Sequence, residues 1–111
     1  MSHSDLIGST RRASTLLKAM SNERRLLILC HLAEGERSVG ELESLVGLSQ
    51  SALSQHLARL RRDRVVRTRR SAQSIIYSLD GEEALTIMEA LRRLYVGAPA
   101  ARGKDVAGAA D

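Results

Sequence analysis

Residues 49–57 read SQSALSQHL. On a helix, positions 50, 54 and 58 share one side, and 51, 55 and 59 the side next to it. That places Gln50, Ser51, Ser54, Gln55 and Arg59 around Ala58 on one continuous surface. A solvated helix face ordinarily carries Lys and Glu, which favour helix and stay in water. Short amides and hydroxyls instead suit close approach to a surface that offers hydrogen bonds. Gln and Ser can read base edges in a major groove, and Arg can fork onto a guanine or a phosphate. An ordinary polar surface is the bland alternative, and the arginines that follow weigh against it.

Those arginines are concentrated. Residues 49–79 hold seven of them against Asp63 alone, a net +6, so in a chain of net charge +4 the remainder sums to −2. A basic block inside an otherwise slightly acidic protein is the electrostatic footprint of a polyanion-binding face. Arg67, Arg69, Arg70 and Gln73 surround what reads as a hairpin tip. A wing of this kind lies along phosphates or reaches into a minor groove. The competing reading is a charged edge strand that resists aggregation. His56, spaced three and four residues from Leu53 and Leu60, is expected to pack at the edge of the core rather than to touch a base.

Cys30 is the single cysteine and sits in the apolar stretch LLILCHL. It is either a small buried hydrophobe or, with an accessible thiolate, a target for persulfidation, sulfenic acid formation or glutathionylation. One cysteine makes no intramolecular disulfide. With no signal-peptide-like apolar stretch in the first residues, a reducing cytoplasm is the expected compartment. No apolar run reaches the roughly 18 residues of a membrane span. Cys30 and His31 point about 100° apart on a helix and chelate poorly, so no metal site and no cofactor are expected. No nucleophile elbow, phosphate-cradling glycine loop or paired carboxylates mark an enzyme.

The elements that must position these residues follow from periodicity and caps. The core has to come from Leu, Ile, Val, Ala and Met, since there is no Phe or Trp and only two Tyr. A first helix runs from Asp5 to Met20. Ser21 or Asn22 caps a second, ERRLLILCHLAE, which Gly35 ends. Ser38 and Glu41 form a capping box for a short third helix to about Val46. Ser49 caps the fourth, with Leu53, Leu57 and Leu60 inside, and the GLS link makes the pair a helix-turn-helix. VVRTRR and SIIYSL, separated by SAQ, read as a hairpin. Asp80 and Glu83 suggest a second capping box before a last helix with Ala84, Ile87, Met88, Leu91, Leu94 and Tyr95 along one stripe. The fold class is mainly α with a two-stranded β wing. Residues 1–96 form the winged helix-turn-helix domain, and the Ala/Gly-rich residues 97–111 are expected to be a disordered tail.

Four blocks in this order, LLKAMSNERRLLILCHL, SVGEL, LSQSALSQHLARLRRD and RTRRSAQSIIYSL, resemble the ArsR/SmtB family of bacterial repressors. The resemblance covers roughly residues 13–95 and is strongest to the sulfur- and redox-responsive, BigR/HlyU-like branch. The apolar stripes of the first and last helices, which so small a core cannot both cover, point to a homodimer through those helices on an inverted-repeat operator. The resemblance implies a regulatory thiol at Cys30, paired in that branch with a second cysteine in a last-helix motif like LYC. This chain has Leu94-Tyr95-Val96 there, so the two-thiol bridge cannot close within it. Arg64 departs too, since relatives usually have Gly at the end of the recognition helix. If a positive φ is needed there, Arg costs on the order of 1 kcal/mol.

The expected function is thus a transcriptional repressor whose partners are double-stranded operator DNA, a second copy of the chain, and a persulfide or oxidant acting on Cys30. Two alternatives stand beside it. A metal-responsive repressor of the same family would need ligands where the chain has ELESL and, over residues 81–96, no His. A winged-helix protein-interaction module would not need the basic block.

Overall fold

The computed structural model describes residues 3–97. In chain order it comprises α1 (His3–Ile7), α2 (Thr10–Met20), α3 (Glu23–Glu34), β1 (Arg37–Ser38), α4 (Val39–Val46), α5 (Gln50–Arg62), β2 (Val66–Ser71), β3 (Ser74–Leu79) and α6 (Glu83–Tyr95). The first helix expected from Asp5 to Met20 is two, broken at Gly8–Ser9. Gly weakens a helix interior because it loses the most backbone freedom on ordering. The tail expected from residue 97 lies, beyond Gly97, outside the described residues.

Local caps set three of the helix starts. The Asn22 side chain accepts from the backbone N–H of Arg24 at 2.9 Å and Arg25 at 3.1 Å, and so opens α3. Ser38 and Glu41 form the reciprocal box on α4, at 3.1 and 2.8 Å. Gly47 closes α4 in the left-handed conformation, φ 72, where a Cβ would be strained. Ser49 then accepts from the N–H of Ala52 and opens α5. The second box does not form. Glu82 holds the N-cap position of α6 with no side-chain cap bond, while Asp80 donates its backbone N–H to Val65 and Glu83 pairs with Arg12 of α2 at 2.8 Å.

Ile28 and Leu29 of α3, Leu42 of α4, Leu53 and Leu60 of α5, and Val65 and Val66 entering the wing are fully buried and make the core continuous. On α5 the buried residues are Leu53, Leu57 and Leu60, the i, i+4, i+7 seam of a one-sided helix. The wing is larger than its hairpin. β1 adds a third strand, giving the antiparallel order β1-β3-β2, with Arg37 opposite Tyr77 and Ser38 opposite Ile76. The hairpin turn is only Ala72–Gln73, because Ser71 and Ser74 still pair. No helix among the described residues is long and apolar enough to cross a membrane.

Candidate nucleic-acid interface

The Leu53–Leu57–Leu60 seam fixes the rotation of α5 and therefore what it presents. At 100° per residue, Ser51, Gln55, Ala58 and Arg62 lie opposite the seam, with Gln50, Ser54 and Arg61 on one flank. Gln50, Ser51, Ser54 and Gln55 are all exposed. The surface is uncharged at the start of the helix and cationic at its end. Arg61 and Arg62, two of the seven arginines of the basic block, add to the residues expected there, each standing two turns beyond Ser54 and Gln55 on the same rows. That i+7 spacing is the sequence signal for them. Ser54, Ala58, Arg61 and Arg62 also line a groove of about 470 Å³, closed on the other side by Val39 and Tyr77.

Arg59 is placed differently from its neighbours. Its Nε donates to Oδ2 of Asp63 at 3.0 Å, and only 35% of its side chain is exposed. Arg62 approaches the other oxygen at 3.6 Å. The hydrogen bond from Arg59, helped by the charge of Arg62, holds the Asp63 carboxyl below the ordinary range despite partial burial. On the same side Arg25 donates through Nε to the carbonyl of Ala19 at 2.6 Å and through Nη2 to that of Lys18 at 3.4 Å. It thereby satisfies the Ala19 carbonyl at the end of α2 and adds a second donor to that of Lys18, which also accepts from the N–H of Ser21. Burial first, then the charge of Arg59, lowers the Arg25 pKa. His56 is half-buried. Burial, followed by the charges of Arg25 and Arg24, lowers its pKa and favours the neutral imidazole.

In the wing, Arg67, Arg69, Arg70 and Gln73 are exposed. Arg67 donates weakly to Ser78 Oγ at 3.5 Å. Arg69 forms a two-pronged pair with Glu36, 3.1 Å from Nε and 2.7 Å from Nη2. The Arg70 side chain has no hydrogen-bond or ion-pair partner among the described residues.

Cys30 is a free, exposed thiol on α3, so the buried-hydrophobe reading does not describe it. Partial burial and then the carboxylate of Glu34 raise its pKa, which keeps it mostly protonated at neutral pH. Among the described residues, no group of three or more His, Cys, Asp or Glu is placed to hold a metal ion.

A helix-turn-helix carrying an uncharged exposed surface beside arginines, with a sheet wing alongside, defines the winged-helix class of transcription regulators. The chain belongs to the arsR family of bacterial regulatory proteins, whose model matches residues 22–68. It is similar to the transcriptional activator HlyU of Vibrio cholerae, at 58% identity over 87 residues, which cover 78% of this chain and 81% of that protein. Reduced HlyU of the same organism superposes with a TM-score of 0.77 at 55% identity, covering 82% of this chain and 96% of that one. The transcriptional repressor BigR of Xylella fastidiosa gives a TM-score of 0.81 at 39% identity, covering 86% and 97%. The chain is accordingly a transcription regulator and not an enzyme.

Proposed function

We propose that this regulator is a sequence-specific repressor that binds an inverted-repeat operator as a two-fold dimer. The observation that carries the reading is the acid-free surface of Ser51, Gln55 and Ser54 on α5, followed on the same rows by Arg61 and Arg62. Amides and hydroxyls discriminate bases, and arginines neutralise phosphates. Gln50 extends the reading surface, and Arg70 and Gln73 supply the wing's side of it. Similar proteins carry names of both signs, activator and repressor. The sign depends on where a bound operator lies relative to a promoter, and the binding event is the same. Such a protein works where the bacterial DNA is, in the cytoplasm.

Dimerisation is supported by apolar side chains that the protomer leaves in water. Leu17 of α2 is 53% exposed, and Leu94, Tyr95 and Val96 at the end of α6 are 73%, 83% and 62% exposed. Covering them with a second copy would bury apolar surface and set two reading helices one DNA turn apart, about 34–36 Å. Selection of duplexes from a random library, with sedimentation of the protein at micromolar concentration, tests both parts. The expected result is an enriched inverted repeat and a dimer. A monomer, or retention that ignores both sequence and salt, would overturn the reading.

A thiol input rests on Cys30, which is free and exposed, and on the similarity to HlyU, a protein solved in a reduced form. We infer that a persulfide or oxidant can modify Cys30 but that, with Val96 in place of a second thiol, modification is weakly coupled to DNA binding.

A further inference from the structure

The wing arginines do not share a face. Side chains alternate along a strand, so Val66, Thr68 and Arg70 of β2 fall on one face, and Arg67, Arg69 and Ser71 on the other. Val66 is buried in the core, and Tyr77, opposite Thr68, lines the groove beside α5. The first face is therefore the one turned toward α5, and Arg70 continues it toward the hairpin tip. Arg69 lies on the outer face. From its place opposite Ile76 it reaches across the central strand β3 to Glu36, the residue before β1. Nε and Nη2 together grip both carboxylate oxygens, so the side edge of the guanidinium fork is already occupied.

We propose that Glu36 is a specificity-determining residue of the DNA-binding surface: it holds Arg69 on the outer face of the wing and out of phosphate contact, leaving Arg70 as the wing's contacting arginine. This rests on the DNA-binding reading above. A phosphate contact strengthens binding to any sequence and discriminates nothing. In a complex docked through α5, an arginine on the outer face is aimed away from the duplex. In sequence-independent encounters the orientations vary, and a freed Arg69 would reach phosphates. The carboxylate thus suppresses the unwanted mode more than the wanted one. The pairing also depresses the Glu36 pKa, through the hydrogen bond from Arg69 first, and raises that of Arg69.

The test compares the full-length chain with Glu36→Gln, Arg69→Ala, Arg70→Ala and the Glu36→Gln/Arg69→Ala double variant. Each is titrated with the duplex the wild type enriches and with a scrambled duplex, over a range of salt. All three positions are exposed, and circular dichroism verifies the fold of each variant. Arg70→Ala is expected to flatten the salt dependence by about 0.9 on both duplexes, and Arg69→Ala to leave it unchanged. Glu36→Gln should tighten scrambled DNA about three- to fivefold, the scale of releasing an exposed ion pair, and move the enriched duplex less. In the Arg69→Ala background it should do nothing. The proposal is overturned if Arg69→Ala flattens the slope as Arg70→Ala does, if Glu36→Gln acts equally on both duplexes, or if it acts without Arg69. Should the wild type enrich no sequence, the sequence-specific reading fails while the scrambled duplex still decides whether Glu36 restrains Arg69. Absence of any salt-dependent DNA binding overturns both.

Discussion

Arg59 and Asp63 are joined one turn apart at the end of α5, Nε to Oδ2 at 3.0 Å, and this pair turns one arginine of the basic block inward. Asp63 is the block's single acid, and it lies where the helix gives way to the wing. Its carboxylate accepts from Arg59, while its backbone N–H bonds back to the carbonyls of Arg59 and Arg61. The pair thus fastens the helix end whose direction sets the wing.

Asp63→Asn is expected to lower stability at neutral pH by about 0.5–1 kcal/mol, the scale of a partly screened i,i+4 pair, or a few degrees in Tm. The folded-state pKa of Asp63 is depressed. Its contribution is therefore present above the unfolded value of about 3.9 and is lost as pH falls through the folded one. Thermal unfolding of both proteins at pH 7 and in acid should show the gap narrowing on acidification. A gap that widens in acid would contradict the pairing.

Gln55→Ala removes an amide that stands opposite the buried seam of α5. If that amide reads a base, binding to the enriched duplex should weaken by about 1–3 kcal/mol while scrambled DNA is almost unaffected. Fluorescence anisotropy on the two duplexes measures the difference. Equal losses on both would make Gln55 a backbone contact instead.

Arg64 has φ 60 and Ala72 φ 57, the two non-glycine residues with positive φ among those described. Ala72 is the first of the two turn residues, the position where a II′ hairpin turn favours Gly. Replacing either by Gly relieves the Cβ penalty but adds freedom to the unfolded chain. A net gain of roughly 0.5–1 kcal/mol is expected for each, additive because the sites share no partner. Urea midpoints of the singles and the double test this, and a loss of stability at Arg64→Gly would mean that the side chain contributes more than its strain costs.

What the sequence made legible was what local chemistry decides. Asn22, Ser38 with Glu41, and Ser49 satisfy helix donors within three residues, so residue type and spacing suffice. The seam of α5 is equally local. The two-residue strand β1 is not, since Arg37 and Ser38 become a strand only because Tyr77 and Ile76 lie beside them. The capping box that Asp80 and Glu83 suggest fails to form for the same reason: Glu83 finds Arg12, 71 residues away, and Asp80 is held by Val65. In the basic block, residue type identified the arginines, but which of them are already paired depended on the fold. Asp63 claims Arg59 from four residues off, and Glu36 claims Arg69 across the sheet, 33 residues away. Cys30 looked apolar in its sequence context and is exposed because of how α3 is turned.

The last prediction concerns the switch. Cys30 is accessible, but partial burial and the neighbouring carboxylate of Glu34 raise its pKa. The thiolate is the reactive form, so alkylation should be slow at neutral pH and rise with pH later than for an ordinary thiol. Glu34→Gln, by removing the second cause, should shift that profile to lower pH. Reactivity alone does not make a switch, because an effector moves an equilibrium only by its differential affinity for two states. Val96 ends α6 with an apolar, unreactive side chain that cannot bridge to α3. The chain should therefore stay in its DNA-competent form, with operator affinity moving by less than tenfold, about 1.4 kcal/mol, when an organic persulfide is added. Val96→Cys supplies the missing thiol and should create the bridge and the response together, read as a two-thiol mass shift and loss of anisotropy on the enriched duplex. Strong release from the unaltered chain would show that Cys30, alone or paired across two copies, is a complete sensor.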